Sequence, residues 1–167
     1  MKSFVFSDLH GDECAMRKIN GLLLKEKPDR ILLLGDILHG RYGGGLSDVA
    51  NLLRSIEIPI LAVRGNCDYE SDSMTLGFDL PEARSIHFGM HVLHLSHVFP
   101  YLAFPAGDVV LFGHTHRKCI YVERGVLYMN PGSVSLPRDG VASYGLIEDR
   151  VFSLKDMDGN LLESIEF

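Results

Sequence analysis

Two short runs of the sequence are apolar throughout, apart from the arginine that begins the first, and they constrain the fold more than any other feature. The runs are RILLL at 30–34 and IPILAV at 58–63. A strand that is apolar at every position must be buried on both faces, which is typical of a parallel sheet covered by helices. Segments with helical spacing of apolar residues lie at 13–26 and 46–56. Together with an apolar strand at 2–6, they predict a βαβαβ unit with right-handed crossovers.

The second half of the chain has a different pattern, in which short strands are separated by turn signals such as ERGV. The sequence predicts strands at 90–96, 108–113, 118–124, 126–130, 142–148 and 151–156. We expect these strands to form an antiparallel-rich second sheet packed on the first. The 167 residues suffice for one good core and contain no linker or repeat, so residues 1–167 are predicted to form a single domain.

Charge and composition exclude several classes of function. The formal net charge is −6 and the chain has no basic run, which argues against an extended nucleic-acid-binding surface. No apolar run approaches the roughly 20 residues of a membrane helix, and the N-terminus does not resemble a signal peptide. Three cysteines do not make a disulfide framework, so a cytoplasmic location is expected.

Five of the predicted strands are each followed by side chains of the types that bind metal ions. The residues are Asp8, His10, Asp36, Asn66, His97, His114 and His116. In open α/β sheets the ligand crevice lies beyond the carboxyl ends of the strands, so these side chains are predicted to converge. The D-x-H and H-x-H spacings support convergence, because residues i and i+2 of an extended backbone point the same way.

Each of these residues taken alone also has a purely structural explanation. Asp36 is compatible with a helix N-cap, Asn66 with a left-handed turn, and His97 with a surface position. The presence of a side chain of a metal-binding type after each of the five strands favours a common site instead. Seven side chains exceed the three or four protein ligands of one ion, so the set predicts two ions that share one carboxylate. Mixed nitrogen and oxygen ligands favour Mn²⁺, Fe or Zn²⁺, with Ni²⁺ and Mg²⁺ as alternatives, and we expect Mn²⁺.

The motifs SDLHGD, LGDILHG, RGNCDYE, LSHVF and FGHTH resemble, in order and spacing, those of the calcineurin-like metallophosphoesterases. NPGSVSLPR, at 130–138, resembles a segment that follows the last motif in the compact prokaryotic phosphodiesterases of the YfcE type. The resemblance implies an α/β fold, a four-layer α/β/β/α sandwich of two mixed β-sheets flanked by helices. It also implies a binuclear metal-dependent phosphodiesterase that hydrolyses small phosphodiesters by direct attack of a metal-bridging hydroxide.

The resemblance also assigns roles to the matching positions. It implies one ion held by Asp8, His10 and His116, a second held by Asn66, His97 and His114, and Asp36 as the bridge. Asp36 and Asn66 are therefore expected to serve catalysis through the ions they hold. Two dications outweigh the two aspartates, so an acidic protein can still bind an anionic phosphate ester.

Four further residues near these motifs are candidates for a catalytic role. Cys67 stands where many members have a histidine, and we interpret it as a small neutral wall rather than as a proton donor. Asp68 either orients a neighbouring group or caps the next short helix. His39 and Arg41, at the start of the glycine-rich stretch, are candidates for gripping phosphate oxygens, the alternative being a solvated loop.

The sequence departs from the family pattern after two motifs. Val98 and Phe99 follow His97 where a glycine and a second histidine are often found, and Arg117 and Lys118 follow GHTH where a proline is often nearby. Two other functions remain open: a metal-free protein-interaction scaffold of the same fold, and a nuclease. The complete ligand set favours the enzyme. We expect a small phosphate ester as substrate, no membrane partner, and self-association as an open question.

Overall fold

The computed structural model describes residues 1–40 and 46–167, which contain eleven strands and three helices. The strands are β1 (Lys2–Phe6), β2 (Arg30–Leu33), β3 (Ile60–Ala62), β4 (Ala83–Phe88), β5 (His91–Ser96), β6 (Val109–Leu111), β7 (Cys119–Glu123), β8 (Val126–Asn130), β9 (Ser143–Glu148), β10 (Val151–Asp156) and β11 (Leu161–Glu166). The helices are α1 (Glu13–Glu26), α2 (Leu46–Arg54) and α3 (Asp72–Leu76). Within the described ranges, no helix has both the length and the apolar character needed to cross a bilayer.

The first sheet contains the predicted parallel unit. Its strand order is β11-β10-β9-β1-β2-β3, and β1/β2 and β2/β3 are parallel pairs, which confirms the βαβαβ prediction. Phe4 and Phe6 of β1 face the helices, whereas Val5 faces the second sheet. β1 is therefore apolar on both faces because helices cover one side and a sheet covers the other.

Helix α1 has the boundaries that the sequence predicts. The Asp12 side chain accepts a hydrogen bond from the Ala15 N–H at 3.0 Å, and Lys27 ends the helix in the left-handed conformation. The buried face of the helix consists of Ala15, Met16, Ile19 and Leu22. These residues join the core cluster that includes Phe4 and Phe6, so one face of α1 anchors it on the first sheet.

Two strands assigned to the second sheet belong to the first, so that part of the prediction was wrong. β9 pairs antiparallel with β1, and β10 pairs with β9. Five of the six residues of β9 are buried, because it lies inside the sheet with both faces covered. Gly145 leaves room there for Met129 of the opposite sheet. β4 and β11 were not predicted, since both are mostly exposed strands at the ends of their sheets.

The second sheet is mixed rather than antiparallel-rich. Its order is β4-β5-β6-β8-β7, in which β5/β6 and β6/β8 are parallel and β4/β5 and β7/β8 are antiparallel. The β7–β8 hairpin produces this arrangement by placing β8 beside β6. Phe99 and Phe104 cover the outer face of this sheet against Val110 and Phe112. Two mixed sheets flanked by helices agree with the expected fold, and an irregular segment covers this outer face.

Candidate metal centre

The loops that follow β1, β2, β3, β5 and β6 meet at one edge of the two sheets. His97 Nδ1 donates a hydrogen bond to the Leu34 carbonyl at 2.7 Å, which ties the second sheet to the first. The Asp8 N–H donates to the Gly35 carbonyl at 3.2 Å, and the Gly113 N–H donates to the His97 carbonyl at 2.9 Å. These contacts bring all seven sequence-predicted ligand residues to one cleft.

A first group of side chains lies at the buried end of this cleft. The ligand atoms of Asp8, His10 and His116 all lie within 4.8 Å of one another, and the three residues are buried. His116 Nε2 is 3.3 Å from Asp8 Oδ1 and 3.2 Å from His10 Nε2. The nearby Asp8 carboxylate raises the pKa of His116 against the effects of burial and of the positive charge of Arg138.

A second group lies nearer to solvent. Asn66 Oδ1 is 2.9 Å from His97 Nε2 and 2.8 Å from His114 Nδ1. Asn66 and His114 are exposed, whereas His97 is buried. The two histidines of the H-x-H motif thus belong to different groups of the same cleft, with His116 at the deep end and His114 at the open end.

Asp36 lies between the two groups. Its Oδ2 atom is 3.7 Å from His10 Nε2 and 3.4 Å from His97 Nε2, and its Oδ1 atom accepts the Cys67 N–H at 2.8 Å. Burial alone would raise the pKa of Asp36, but the contacts with His97 and Cys67 lower that pKa to about 2. The carboxylate is therefore ionised at neutral pH and faces both groups at once.

The hydrogen bonds of the histidines fit a pair of metal ions. The Nδ1 atoms of His10, His97 and His116 lie 2.7–2.8 Å from backbone carbonyls, of His39, Leu34 and Leu136 respectively. A carbonyl only accepts, so each Nδ1 carries the proton and each Nε2 directs a lone pair into the cleft. Asp8 Oδ1 is buried there without a hydrogen-bond partner among the described residues. Buried lone pairs that face one another at these distances repel, and cations bound between them would remove that repulsion.

The backbone at these positions differs from the extended geometry used to predict convergence. Five of the seven residues have positive φ: Asp8 (55°), His10 (52°), Asp36 (52°), His114 (67°) and His116 (57°). They lie in turns beyond the strand ends, so left-handed turns rather than strand alternation bring the D-x-H and H-x-H side chains into the cleft. Convergence was predicted correctly, but for the wrong local geometry. Asp and His tolerate this conformation better than most residues, although at an energetic cost.

The glycines of the motifs allow the loops to approach one another closely. A Cβ on Gly65 would overlap the backbone nitrogen and a carboxylate oxygen of Asp36. A Cβ on Gly113 would overlap the Ser7 hydroxyl. The glycine before Asn66 and the glycine before His114 are therefore required by contact, because only hydrogen fits against Asp36 in the first case and against the Ser7 side chain in the second.

The last residue of β8 and the segment after this strand support the site, and sequence analysis assigned their residues no role. Asn130 Nδ2 donates to the Gly113 carbonyl at 2.7 Å. The hydroxyls of Ser133 and Ser135 each donate to the Asp8 carbonyl at 2.8 Å. β8 is a further parallel strand that ends at this edge, so extending the strand-end argument to VLYMN would have found Asn130.

Cys67 and Asp68 occupy different surroundings beside the cleft. Cys67 lies close to Asp36 and His10, and burial together with the Asp36 carboxylate raises the pKa of Cys67 to about 11. The sulfur is therefore a neutral thiol. In the part of the chain that the structure describes, Asp68 forms no hydrogen bond with an imidazole, and the N-cap of α3 is Ser71. Asp68 accepts the N–H groups of Ile37 and Gly65 at 2.8 and 2.9 Å, which joins two ligand loops.

The remaining candidates are only partly associated with the cleft. The His39 ring contacts Asp72, with Nε2 3.0 Å from the carboxylate, and only its carbonyl serves the site, by accepting from His10. Arg41 and the glycine-rich stretch at 41–45 lie outside the described residues. Val98 is exposed and lines a neighbouring cavity, whereas Phe99 packs against the outer face of the second sheet.

A sequence profile of the calcineurin-like phosphoesterase superfamily domain matches residues 1–150. The match spans most of the chain and contains every residue of the cleft. The chain belongs to the calcineurin-like phosphoesterase superfamily. Family membership accounts for the order of the loops that carry the candidate ligands and for their position at one edge of two mixed sheets.

Named and solved proteins are similar to this chain over two thirds or more of its length in two of the three cases that follow. Phosphodiesterase YfcE of Escherichia coli K12 is 34% identical over 167 residues, covering 92% of this chain and 91% of YfcE. The solved E. coli YfcE phosphoesterase has a TM-score of 0.93 at 30% identity over 99% of both chains. The probable metallophosphoesterase YsnB of Bacillus subtilis 168 is 31% identical over 118 residues, covering 65% of this chain and 70% of YsnB.

The same fold also occurs in a protein with a different name. Vacuolar protein sorting 29 of Cryptosporidium parvum has a TM-score of 0.68 at 20% identity, covering 99% of this chain and 98% of that one. At this identity the likeness shows the calcineurin-like phosphoesterase fold alone. What distinguishes functions within the fold is the chemistry of the cleft.

Proposed function

We propose that this protein is a binuclear metal-dependent phosphodiesterase that acts on small phosphodiesters. The observation that carries the proposal is the Asp36 carboxylate, which faces His10 Nε2 of one ligand group and His97 Nε2 of the other. The chain's similarity to phosphodiesterase YfcE over most of its length supports it. In this proposal residues 1–167 act as one domain.

The proposed ligands divide as the two groups do. One ion is held by Asp8, His10 and His116, the other by Asn66, His97 and His114, and Asp36 is shared. We propose Mn²⁺ as the native metal, because mixed imidazole and carboxylate ligands without thiolate suit it. When bound, the two ions would lower the pKa of a water between them and neutralise the phosphoryl oxygens for in-line attack.

The cavities beside the metal centre favour a diester over a monoester. The cleft has a volume of about 320 Å³, and a second cavity of about 470 Å³ adjoins it. Asn66 lines both, and Ser96 and Val98 line the second. A monoester carries one substituent on phosphorus and a diester carries two, so cavities on both sides of Asn66 accommodate a diester.

The neutral thiol of Cys67 also favours a substrate whose leaving group departs without being protonated. A group with a pKa of about 11 is a poor match for proton transfer at neutral pH. We therefore propose that Cys67 forms a neutral wall of the cleft and that good leaving groups react fastest. The three cysteines are free, which is consistent with the reducing cytoplasm that we propose for this protein.

Metal analysis coupled to a substrate panel tests the proposed function. Protein purified without chelator is analysed for metals and assayed with Mn²⁺ on bis(p-nitrophenyl) phosphate, p-nitrophenyl phosphate, a cyclic nucleotide and a DNA duplex. We expect two divalent ions per chain and fastest turnover of a small diester. Metal-free, inactive protein would favour the scaffold function, and preferential cleavage of DNA would favour the nuclease.

Two further measurements test the site and the step. Asp36→Asn removes the shared charge and should lower diester turnover about a hundredfold or more. The matched control Asp158→Asn, at an exposed turn, should be fully active.

Direct attack by water should invert configuration at phosphorus and introduce solvent ¹⁸O in one step. Retention of configuration would instead require a covalent intermediate and would reject the proposed step.

A further inference from the structure

Among the described residues that line the cleft, Arg138 is the one lysine or arginine, and its charge is close enough to act on His116. The cleft is lined by His10, Asp36, Gly40, Asn66, Cys67, His114, His116, Leu136 and Arg138. The Arg138 side chain is exposed, and its guanidinium has no ion pair or hydrogen bond with any described residue. A cation at the cleft that has no carboxylate partner among the described residues is available to a ligand.

The backbone of Arg138 is fixed relative to a proposed metal ligand. Its N–H donates to the His116 carbonyl at 2.9 Å, and His116 Nδ1 donates to the Leu136 carbonyl at 2.7 Å. One residue further, Asp139 accepts the Lys118 N–H at 2.8 Å and pairs with the Lys118 ammonium at 3.0 Å. These contacts fasten segment 136–139 to segment 116–118. The backbone of Arg138 is therefore held beside His116, at the deep end of the cleft.

Within the described ranges, the other cations near the cleft either form ion pairs or do not line it. Arg64, in the adjoining cavity, pairs with the Glu82 carboxylate at 2.9 Å, and Lys118 pairs with Asp139. Arg117 is exposed but does not line the cleft. Arg138 alone among these combines an open guanidinium, a position in the cleft and an anchored backbone.

We infer that Arg138 is a phosphate-binding residue of this site, which clamps non-bridging oxygens of the phosphoryl group on the His10–His116 side. The inference rests on the proposed function for the identity of the substrate. A guanidinium presents paired N–H donors whose spacing matches two oxygens of a phosphate, and its charge does not depend on pH in the physiological range. Residues that hold the substrate in this way contribute by positioning it for in-line attack.

Binding of inorganic phosphate tests the inference without any turnover. Mn²⁺-loaded wild-type protein, Arg138→Met, Arg138→Lys and the control Arg117→Met are titrated with phosphate by calorimetry, after metal content and circular dichroism are checked. We expect Arg138→Met to weaken phosphate binding about tenfold or more, Arg138→Lys to weaken it less, and Arg117→Met to bind as the wild type does. With bis(p-nitrophenyl) phosphate, KM should rise in the same order.

Several results would overturn the inference. They are wild-type protein that does not bind phosphate, Arg138→Met binding as tightly as wild type, and equal weakening by Arg138→Met and Arg117→Met, which would indicate a general charge effect. Arg138→Lys provides the comparison if the methionine variant does not fold. If phosphate binding depends on Arg138 but no ester in the panel is hydrolysed, the binding role stands and the proposed phosphodiesterase function falls.

Discussion

At the scale of single residues, five of the proposed metal ligands in the cleft also have a strained backbone conformation. Asp8, His10, Asp36, His114 and His116 all have φ between 52° and 67°. A residue other than glycine in the left-handed region costs on the order of 1 kcal/mol or more. The site therefore reduces the stability of the metal-free fold, and metal binding offsets that cost in the proposed enzyme.

Replacement of His114 tests this strain, because the residue is exposed and its φ is 67°. We expect His114→Gly to be about 1 kcal/mol more stable than His114→Ala in the presence of a chelator, since only glycine adopts this conformation freely. Urea unfolding of the two variants measures the difference. Both should bind the second metal ion poorly.

The same two substitutions at an unstrained helical residue provide the control. Leu24 of α1 is exposed and helical, so Leu24→Gly should be about 1 kcal/mol less stable than Leu24→Ala. The sign of the Gly–Ala difference thus reverses between the two sites. Equal stabilities of the two His114 variants would show that the turn stores no strain.

Cys67 determines, in our interpretation, how well the site handles poor leaving groups. Cys67→His places a group with a pKa near 6.5 beside Asp36, where it can protonate a departing oxygen at neutral pH. We expect the turnover of phenyl phosphate, whose leaving group is poor, to rise relative to that of p-nitrophenyl phosphate, whose leaving group is good. Unchanged rates for both esters would contradict this role, and Cys14→His, at an exposed cysteine, is the control.

At the scale of elements, strand ends made the site predictable. The apolar runs identified β1, β2, β3, β5 and β6, and the residues after each run supplied the seven candidate ligands. The supporting contacts were not predictable in the same way. The roles of Ser133 and Ser135 depend on hydroxyls that meet the Asp8 carbonyl from far along the chain. The contact of His39 with Asp72 depends likewise on where α3 docks.

Asp68 shows how one side chain couples two ligand loops. Its carboxylate is buried and accepts N–H groups from the loop after β2 and from the loop after β3. Asp68→Ala leaves these buried donors unsatisfied, so we expect a loss of about 2–3 kcal/mol in the free energy of unfolding and about tenfold weaker Mn²⁺ binding. Urea unfolding with chelator and calorimetry with Mn²⁺ measure the two effects.

The comparison for Asp68 is a variant at an exposed aspartate. Asp158→Ala should change neither the unfolding free energy nor Mn²⁺ affinity. Asp68→Asn keeps one accepting oxygen and should fall between wild type and Asp68→Ala. If Asp68→Ala bound Mn²⁺ as tightly as wild type, the coupling of the two loops through this carboxylate would be refuted.

At the scale of the whole molecule, local pattern did not determine which sheet each strand joins. β9 contains Ser143 and Gly145, which disguise a strand buried on both faces. Its place beside β1 depends on contacts between the two ends of the chain, since Ser3 lies opposite Ile147. Periodicity within a short window carries no information about such long-range pairing, so the βαβαβ half was predicted well and the second half less well.

Tyr144 of β9 shows a consequence of this central position. It is fully buried against Phe4 and Phe6, with ring centroids 5.1 and 5.6 Å away, and its hydroxyl has no hydrogen-bond partner among the described residues. Burial, together with the charges of Glu26 and Asp156, raises the pKa of Tyr144 to about 12. The hydroxyl is therefore a cost to the core rather than a contribution to it.

Tyr144→Phe should stabilise the protein by about 1 kcal/mol at pH 7, because the unsatisfied hydroxyl is removed. Between pH 10 and 12 the unfolded wild type ionises its tyrosine while the folded state does not, so wild-type stability falls as pH rises. The advantage of the variant should thus grow by about 2 kcal/mol over this window. Urea unfolding at pH 7, 10 and 11.5 measures it, with Tyr101→Phe, at an exposed site, as the control. A variant less stable than wild type at pH 7 would mean that the hydroxyl is satisfied in solution, in which case the core around β1 and β9 is open to water.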